Sequence, residues 1–180
     1  MNKKLLSLAF TILAMRSQLC HAGPEQVALS VWVNEAIVAT YSYNYKSYLD
    51  DQKQIAKYFT ADGWMAYSKA LNDSKLPEAV QKNLYFVNAV STEPPVITTI
   101  DPTHWKATMP LLVVYHNPQY KQHQTLKVSI YFETAPSGQG IRGLSISNLQ
   151  SVVSKPPCQC PVEDETPAPT PPASAGNAKK

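Results

Sequence analysis

The sequence is short of the residues from which most active sites are built. Its 180 residues include six glycines, three cysteines and four histidines. No glycine-rich phosphate loop and no nucleophile elbow can be found, and the serines, histidines and aspartates are scattered without a shared motif. Long apolar runs are lacking as well. The stretch Leu5–Met15 ends at Arg16, well short of the roughly eighteen residues that a bilayer span needs. An excess of one charge is also missing. The formal charge of +3 owes itself to Lys3, Lys4 and Arg16 near the start; without them 13 basic residues face 13 acidic ones. No basic run precedes Lys179 and Lys180, so binding to nucleic acid through phosphate neutralisation has no support in composition.

What is present begins with an export signal. Lys3 and Lys4, the apolar stretch that follows, and "CHA" before Gly23 match a signal peptide cleaved after Ala22. The reading is therefore 1–22 signal peptide, 23–154 folded domain and 155–180 proline-rich tail, with no membrane span in the mature chain. A short uncleaved anchor is the bland alternative. A lipidated cysteine at "SQLC" fits less well, because Leu19 stands where a small residue is wanted. Cleavage would remove Cys20 and leave Cys158 and Cys160 in "PPCQCP". Export permits a disulfide, and three readings stay open: a small strained ring within the tail, a tether to another chain, or a redox site.

"ATYSYNYKSY", Ala39 to Tyr48, puts four tyrosines into ten residues. Val27, Val31, Asn34, Val38, Tyr41, Tyr45 and Tyr48 recur at alternating spacings of four and three, which predicts one helix from Val27 to Tyr48. Pro24 and Glu25 suit its first turn. Leu29, Trp32, Ala36 and Tyr43 make a second apolar line. A short helix is expected over Asp50–Tyr58, with Ile55, Tyr58 and Phe59 inward. Another follows Thr60 as N-cap, carrying Trp64, Tyr67 and Leu71 and ending at Asn72–Ser74. A last one opens at Pro77 and runs to about Leu84.

From Tyr85 the period changes to two. Strands are expected over Phe86–Ser91, Val96–Ile100, Trp105–Tyr115, Thr125–Thr134 and Ile141–Val153. Leu126, Val128, Ile130 and Phe132 alternate with polar residues, as in a sheet with one wet face. Pro110 marks a bulge or an edge, and a change of apolar parity between Ile146 and Leu149 marks another bulge. Helices followed by antiparallel strands predict an α+β fold with the helices on one sheet face. Lys155–Lys180, with seven prolines, reads as a disordered tail. No internal repeat is found.

Five stretches in order, "WVNEAIVATYSYNYKSY", "YFTADGWMAYSKALNDS", "PPVIT", "MPLLVVY" and "RGLSI", resemble the periplasmic domain of the IcmL/DotI family. That family belongs to the type IVB secretion machine of intracellular bacteria such as Legionella and to related conjugation systems. The similarity spans about Ala28 to Val153. It implies a cone similar to nuclear transport factor 2, with helices packed in the concave face of a curved antiparallel sheet. It also implies a non-enzymatic role in a membrane-spanning complex, without cofactor, through contacts with other secretion-system or envelope proteins; a homo-oligomer is a further alternative. The anchored members carry a transmembrane helix before this domain. A signal peptide in its place is the mark of a soluble periplasmic paralogue.

Individual residues have a sharp and a bland reading. Tyr41, Tyr45 and Tyr48 could line a ligand pocket or belong to the core, and core is favoured. Trp32 and Trp64 are core anchors before they are docking residues. Asn34, polar in an apolar seam, is expected to tie its helix to a strand or loop backbone or to specify a partner helix, the former preferred; Glu35 belongs to a solvated face. A catalytic site in the cone would need an inward carboxylate, and only Glu35, Glu93 and Asp101 are candidates. His116 and His123 flank "NPQYKQ" and could meet across a hairpin, but two histidines without a third ligand read as surface residues. The expectation is a binding module working through its exposed sheet face, the strand edge near Pro110 and the tail. A cone-cavity isomerase or hydrolase and a carrier of a small apolar ligand are the alternatives.

Overall fold

A computed structural model describes residues 24–161 of the chain. The expected signal peptide and the tail beyond Pro161 lie outside the described residues.

The first helix, α1, spans Pro24–Thr40. It is apolar nearly all round, so periodicity alone does not choose its buried face. Trp32 does. Its ring stacks on Phe132 at 5.2 Å, and its indole N–H donates to the Ile141 carbonyl at 2.7 Å. Leu29, Val33, Ala36, Ile37 and Thr40 are buried with it. The seam expected to face inward lies on the other side, since Val27 and Val31 are 55% and 45% exposed. The second apolar line is the core line, and the larger side chain decided between them.

The helix does not reach Tyr48. The Thr40 hydroxyl donates back to the Ala36 carbonyl, and the Ser42 amide donates to Ala39. Tyr43–Asn44 then form a short strand, β1, paired antiparallel with Val87 and Phe86. Asn44 builds the turn that follows, its side-chain oxygen accepting the amides of Lys46 and Ser47. Such side-chain turns compete with helix wherever asparagine is well placed. Strand pairing and turn chemistry outweigh the helical spacing.

Helix α2 spans Tyr48–Ala56 and buries Ile55. Helix α3, Ala61–Asp73, is capped as expected by Thr60, whose side chain accepts from the Gly63 amide at 3.0 Å. Its first turn presses on the last strand, where a Cβ at Gly63 would stand 2.5 Å from the Ile146 carbonyl oxygen. Helix α4, Leu76–Lys82, has Pro77 in its first turn. It ends in a Schellman motif: the Tyr85 amide donates to Val80 and the Leu84 amide to Gln81, with Leu84 at φ +55°.

Five further strands complete one antiparallel sheet: β2 (Phe86–Ser91), β3 (Val96–Asp101), β4 (His104–His116), β5 (Tyr120–Thr134) and β6 (Leu144–Pro161). The order is β1-β2-β4-β5-β6, and β3 also pairs with β4. The first half of β4 pairs with β3 and the second half with β2. Pro110 is thus neither on an edge strand nor in a bulge. Its carbonyl accepts from Thr92 on the side where one partner hands over to the other, so its missing N–H interrupts no ladder. Trp105, Ala107, Met109, Leu111, Val113 and Tyr115 of β4 face the helices, as do Leu126, Val128, Ile130 and Phe132 of β5. With α1 laid over this inner face, the fold is the expected α+β arrangement.

The expected bulge in β6 is present: Tyr131 pairs with Asn148 and Phe132 with Ile146, leaving Ser147 over. Beyond residue 154, where the tail was expected to start, β6 continues to Pro161 along Tyr120–Thr125. Pro156 and Pro157 fall in a second irregularity, opposite Gln124 between the Thr125–Lys155 and His123–Cys158 pairs. A bulge on an edge strand is where proline is tolerated.

Candidate functional site

The hollow of the sheet is filled by side chains. Trp32, Phe132, Ile37, Met109, Leu111, Ile130 and Ile146 are all under 2% exposed. Phe132 lies between two indoles, 5.2 Å from Trp32 and 5.4 Å from Trp105. Trp64, half-buried, packs on Phe59 at 5.8 Å and on Tyr67 at 5.6 Å. Both Trp32 and Trp64 are therefore packed against the core.

The tyrosines part company. Tyr43, which belongs to the core, meets Tyr48 edge-on at 5.7 Å, and Tyr41 packs half-buried against the same cluster. Tyr45 instead turns towards Phe86, 5.4 Å away, under the Lys46 ammonium. Burial pushes the Tyr41 phenol up to about 12, partly offset by a hydrogen bond with Ser151, and the Tyr115 phenol up to about 12. Burial likewise raises Tyr43, Tyr67 and Tyr48. These phenols stay neutral at ordinary pH, and Tyr67 donates its proton to the Thr40 carbonyl at 3.3 Å.

None of the three candidate carboxylates lies among them. Glu35 is on the outer side of α1, ion-paired with Arg142. Glu93 is exposed in the β2–β3 loop. Asp101, exposed at the β3–β4 turn, accepts the Thr103 amide at 2.8 Å and contacts His104 Nδ1 at 2.9 Å; the amide first and the histidine second lower it to about 2. His104 also stands 3.6 Å from Glu133. Sequence reading missed these two polar clusters, because Arg142 and His104 meet Glu35 and Glu133 only through the fold.

His116 and His123 are not opposite each other. Val114 pairs with His123, and His116 with Lys121. His116 stacks on Phe86 at 5.3 Å, with Asn88 Nδ2 at 3.1 Å from its Nε2. Cys158 and Cys160, expected in a free tail, occupy positions in β6 opposite His123 and Lys121.

The accessible apolar surface is on the outside. The Asn34 side chain is half-buried and makes no hydrogen bond among the described residues, so it ties α1 to no strand or loop. It lines an open groove of about 470 Å³ with Val31, Glu35, Ser91 and Pro94, between α1 and the β2–β3 loop. Val27 lies one turn away on the same helix. On the outer sheet face Val90 and Val96, 52% and 72% exposed, stand either side of the handover at Pro110.

Residues 19–152 match the family of type IVb secretion system inner-membrane complex components that includes DotI and IcmL. An IcmL-like type IV secretion system protein of Legionella pneumophila subsp. pneumophila str. Philadelphia 1 has a crystal structure 65% identical to this chain. The match covers 77% of this chain and 99% of that one, with a TM-score of 0.72. The periplasmic domain of DotI is 28% identical over 70% of this chain and 94% of its own, with a TM-score of 0.66. CagV of Helicobacter pylori strain 26695, a VirB8 homologue, shares the fold at 10% identity, covering 72% and 99% of the two chains, with a TM-score of 0.59. A comparison with curated proteins gives no match.

Proposed function

The chain belongs to the DotI/IcmL family of type IVB secretion system components, and on that premise we propose that it is a periplasmic, non-catalytic protein-interaction module of such an apparatus. The observation that carries this reading is where the apolar groups stand. The interior is occupied by Trp32, Phe132 and their neighbours, while Val27, Val31, Val90 and Val96 are offered outward. Exposed apolar positions grouped along one helix and one strand handover mark surfaces for protein partners. Its partners are other protein subunits of the secretion apparatus or the cell envelope.

Export by the amino-terminal signal belongs to the same proposal, and the DotI relative, known as a periplasmic domain, supports it. Two experiments test the reading together. Fractionation with amino-terminal sequencing is expected to recover the chain from the periplasm, beginning at Gly23. A photo-crosslinking residue at Val31 or Val96, in cells with the apparatus assembled, is expected to capture an apparatus or envelope protein. The same residue at Gln139, on the β5–β6 turn, serves as the control. If neither Val31 nor Val96 captures more than Gln139 does, the docking role is lost.

A further inference from the structure

Among the described residues β3 pairs with β4 alone, so one of its sides is free. Main-chain groups of successive strand residues point to alternate sides. In β4 the parity is fixed at Pro110, whose carbonyl accepts from Thr92 and so points away from β5. Lys106 and Thr108 share that direction and make the ladder bonds to Thr98 and Val96. Ile97 and Thr99 therefore turn their N–H and C=O groups away from the sheet, and no described residue bonds to them. β2 follows the same parity: the Ala89 amide, opposite Val113, points away from β4 and donates to Ser42 Oγ at 3.1 Å.

Between α1 and β3, with the loops at its ends, two hollows follow one another. One, of about 260 Å³, is lined by Glu25 and Leu29 of α1 together with Thr99, Asp101 and Trp105. The other is the groove of about 470 Å³ beside Asn34, which Val31, Glu35 and Glu93 also line. A strand added to the free edge would lie roughly 4.8 Å from β3. Its residues opposite Ile97 and Thr99 would share their face, which is the inner one, because these two stand opposite the buried Ala107 and Trp105. Apolar side chains at those positions would meet Leu29 and Val31.

Charge decides whose strand this is. The two hollows are lined by four carboxylates and by no lysine or arginine. Glu35 is paired with Arg142 and Asp101 with His104, whereas Glu25 and Glu93 have no ion-pair partner among the described residues. A second copy docked through its own β3 would set these acidic groups against one another, and like charges across an interface are costly.

We infer that the free edge of β3 takes an extended, basic segment of another protein as an added strand, its apolar residues under α1 and its lysines or arginines beside Glu25 and Glu93. Main-chain bonds to Ile97 and Thr99 supply the attachment, and the hollows and carboxylates supply the selection. This rests on the docking role proposed above and names the mode and chemistry of the partner.

Two measurements test it. In the purified full chain, hydrogen exchange read by NMR should find the Ile97 and Thr99 amides exchanging roughly tenfold or more faster than the Thr98 amide. Equal protection of all three would mean that the edge is already covered, and overturns the inference. In cells with the apparatus assembled, the photo-crosslinking residue at Val31 is combined with Thr99→Pro, which removes an outward N–H and spares the ladder to β4. It is also combined with Glu25→Lys/Glu93→Lys, at two exposed positions, so that a test remains if the proline disturbs β3. Each variant, with circular dichroism equal to the parent's, should lower capture roughly tenfold. The captured peptide, sequenced by mass spectrometry, should be a lysine- or arginine-bearing segment of another protein. Capture that persists in either folded variant overturns strand addition and leaves the docking role standing. A captured segment from a second copy of this chain, or one without basic residues, overturns it as well. No capture above the Gln139 control removes the docking role and this inference with it.

Discussion

Trp32 and Ile141, 109 positions apart, are joined by an indole N–H that donates to a main-chain carbonyl at 2.7 Å. The bond pins the first helix to the turn before the last strand, while the same ring stacks on Phe132 near the end of β5. One side chain thus fixes which face of α1 is buried and closes the hollow that a small ligand would need.

Replacing Trp32 should therefore be costly in two separable ways. Trp32→Ala removes the largest fully buried side chain and should lower stability by about 3–5 kcal/mol. Trp32→Phe keeps an aromatic ring on Phe132 but loses the donor, and should lose less. Urea unfolding followed by circular dichroism measures both. Equal losses would mean that the hydrogen bond, and not the ring, holds the helix.

The buried phenols predict an alkaline limit. Tyr41 and Tyr115 titrate at about 12 in the folded protein because burial disfavours their charged form, against about 10 when unfolded. The folded state thus holds these protons more tightly. Their contribution is complete below pH 10 and is lost as the pH rises from 10 to 12, at about 1.4 kcal/mol per unit for each group. Stability from urea curves should fall across that window, and Tyr115→Phe should flatten the fall. Tyrosinate absorbance should appear in two phases, with the buried phenols titrating after the exposed ones.

How much of this was legible in the sequence depended on whether a local signal had a rival. The alternation in β5 had none, and Leu126 to Phe132 lie inward as their pattern implies. The Thr60 cap is a local matter and stands as read. α1 was different, because two apolar lines compete on one helix and only the packing of Trp32 chooses between them. The tyrosine stretch satisfied both periods at once, and the choice fell to Asn44 and to a strand, β2, more than forty residues away. Prolines made the start of the tail look unable to pair. β5 pairs with it nonetheless, because a bulge takes up Pro156 and Pro157. The outward groove beside Asn34 had only that one polar residue as its signal, and the polarity reflects exposure, not a tie to the backbone.

The contact between α3 and β6 should tolerate no side chain at Gly63. A methyl group there would meet the Ile146 carbonyl oxygen at 2.5 Å and Ser147 oxygen at 3.0 Å, both of them main chain. Gly63→Ala should destabilise the fold by more than about 1 kcal/mol, although alanine is the better helix former. Thr60→Ala, which removes the cap on the same turn, should cost about 1 kcal/mol. Melting temperatures of the two variants test this, and a Gly63→Ala protein as stable as the parent would show that the helix can lift from the strand.

Leu84 offers the opposite sign. It is the left-handed residue of the Schellman motif ending α4, at φ +55°, and its side chain is 51% exposed. Leucine in that conformation carries roughly 1–2 kcal/mol of strain, while the exposed side chain gains little by burial. The flanking bonds, Tyr85 to Val80 and Leu84 to Gln81, are made by backbone atoms and survive substitution. Leu84→Gly relieves the strain, against a loss of about 0.5–1 kcal/mol from the freer unfolded chain. A net gain of about 0.5–1 kcal/mol is expected, read as a higher urea midpoint at unchanged slope. A lower midpoint would mean that the Leu84 side chain packs on a surface it needs, and that the end of α4 is held by that contact and not by its turn.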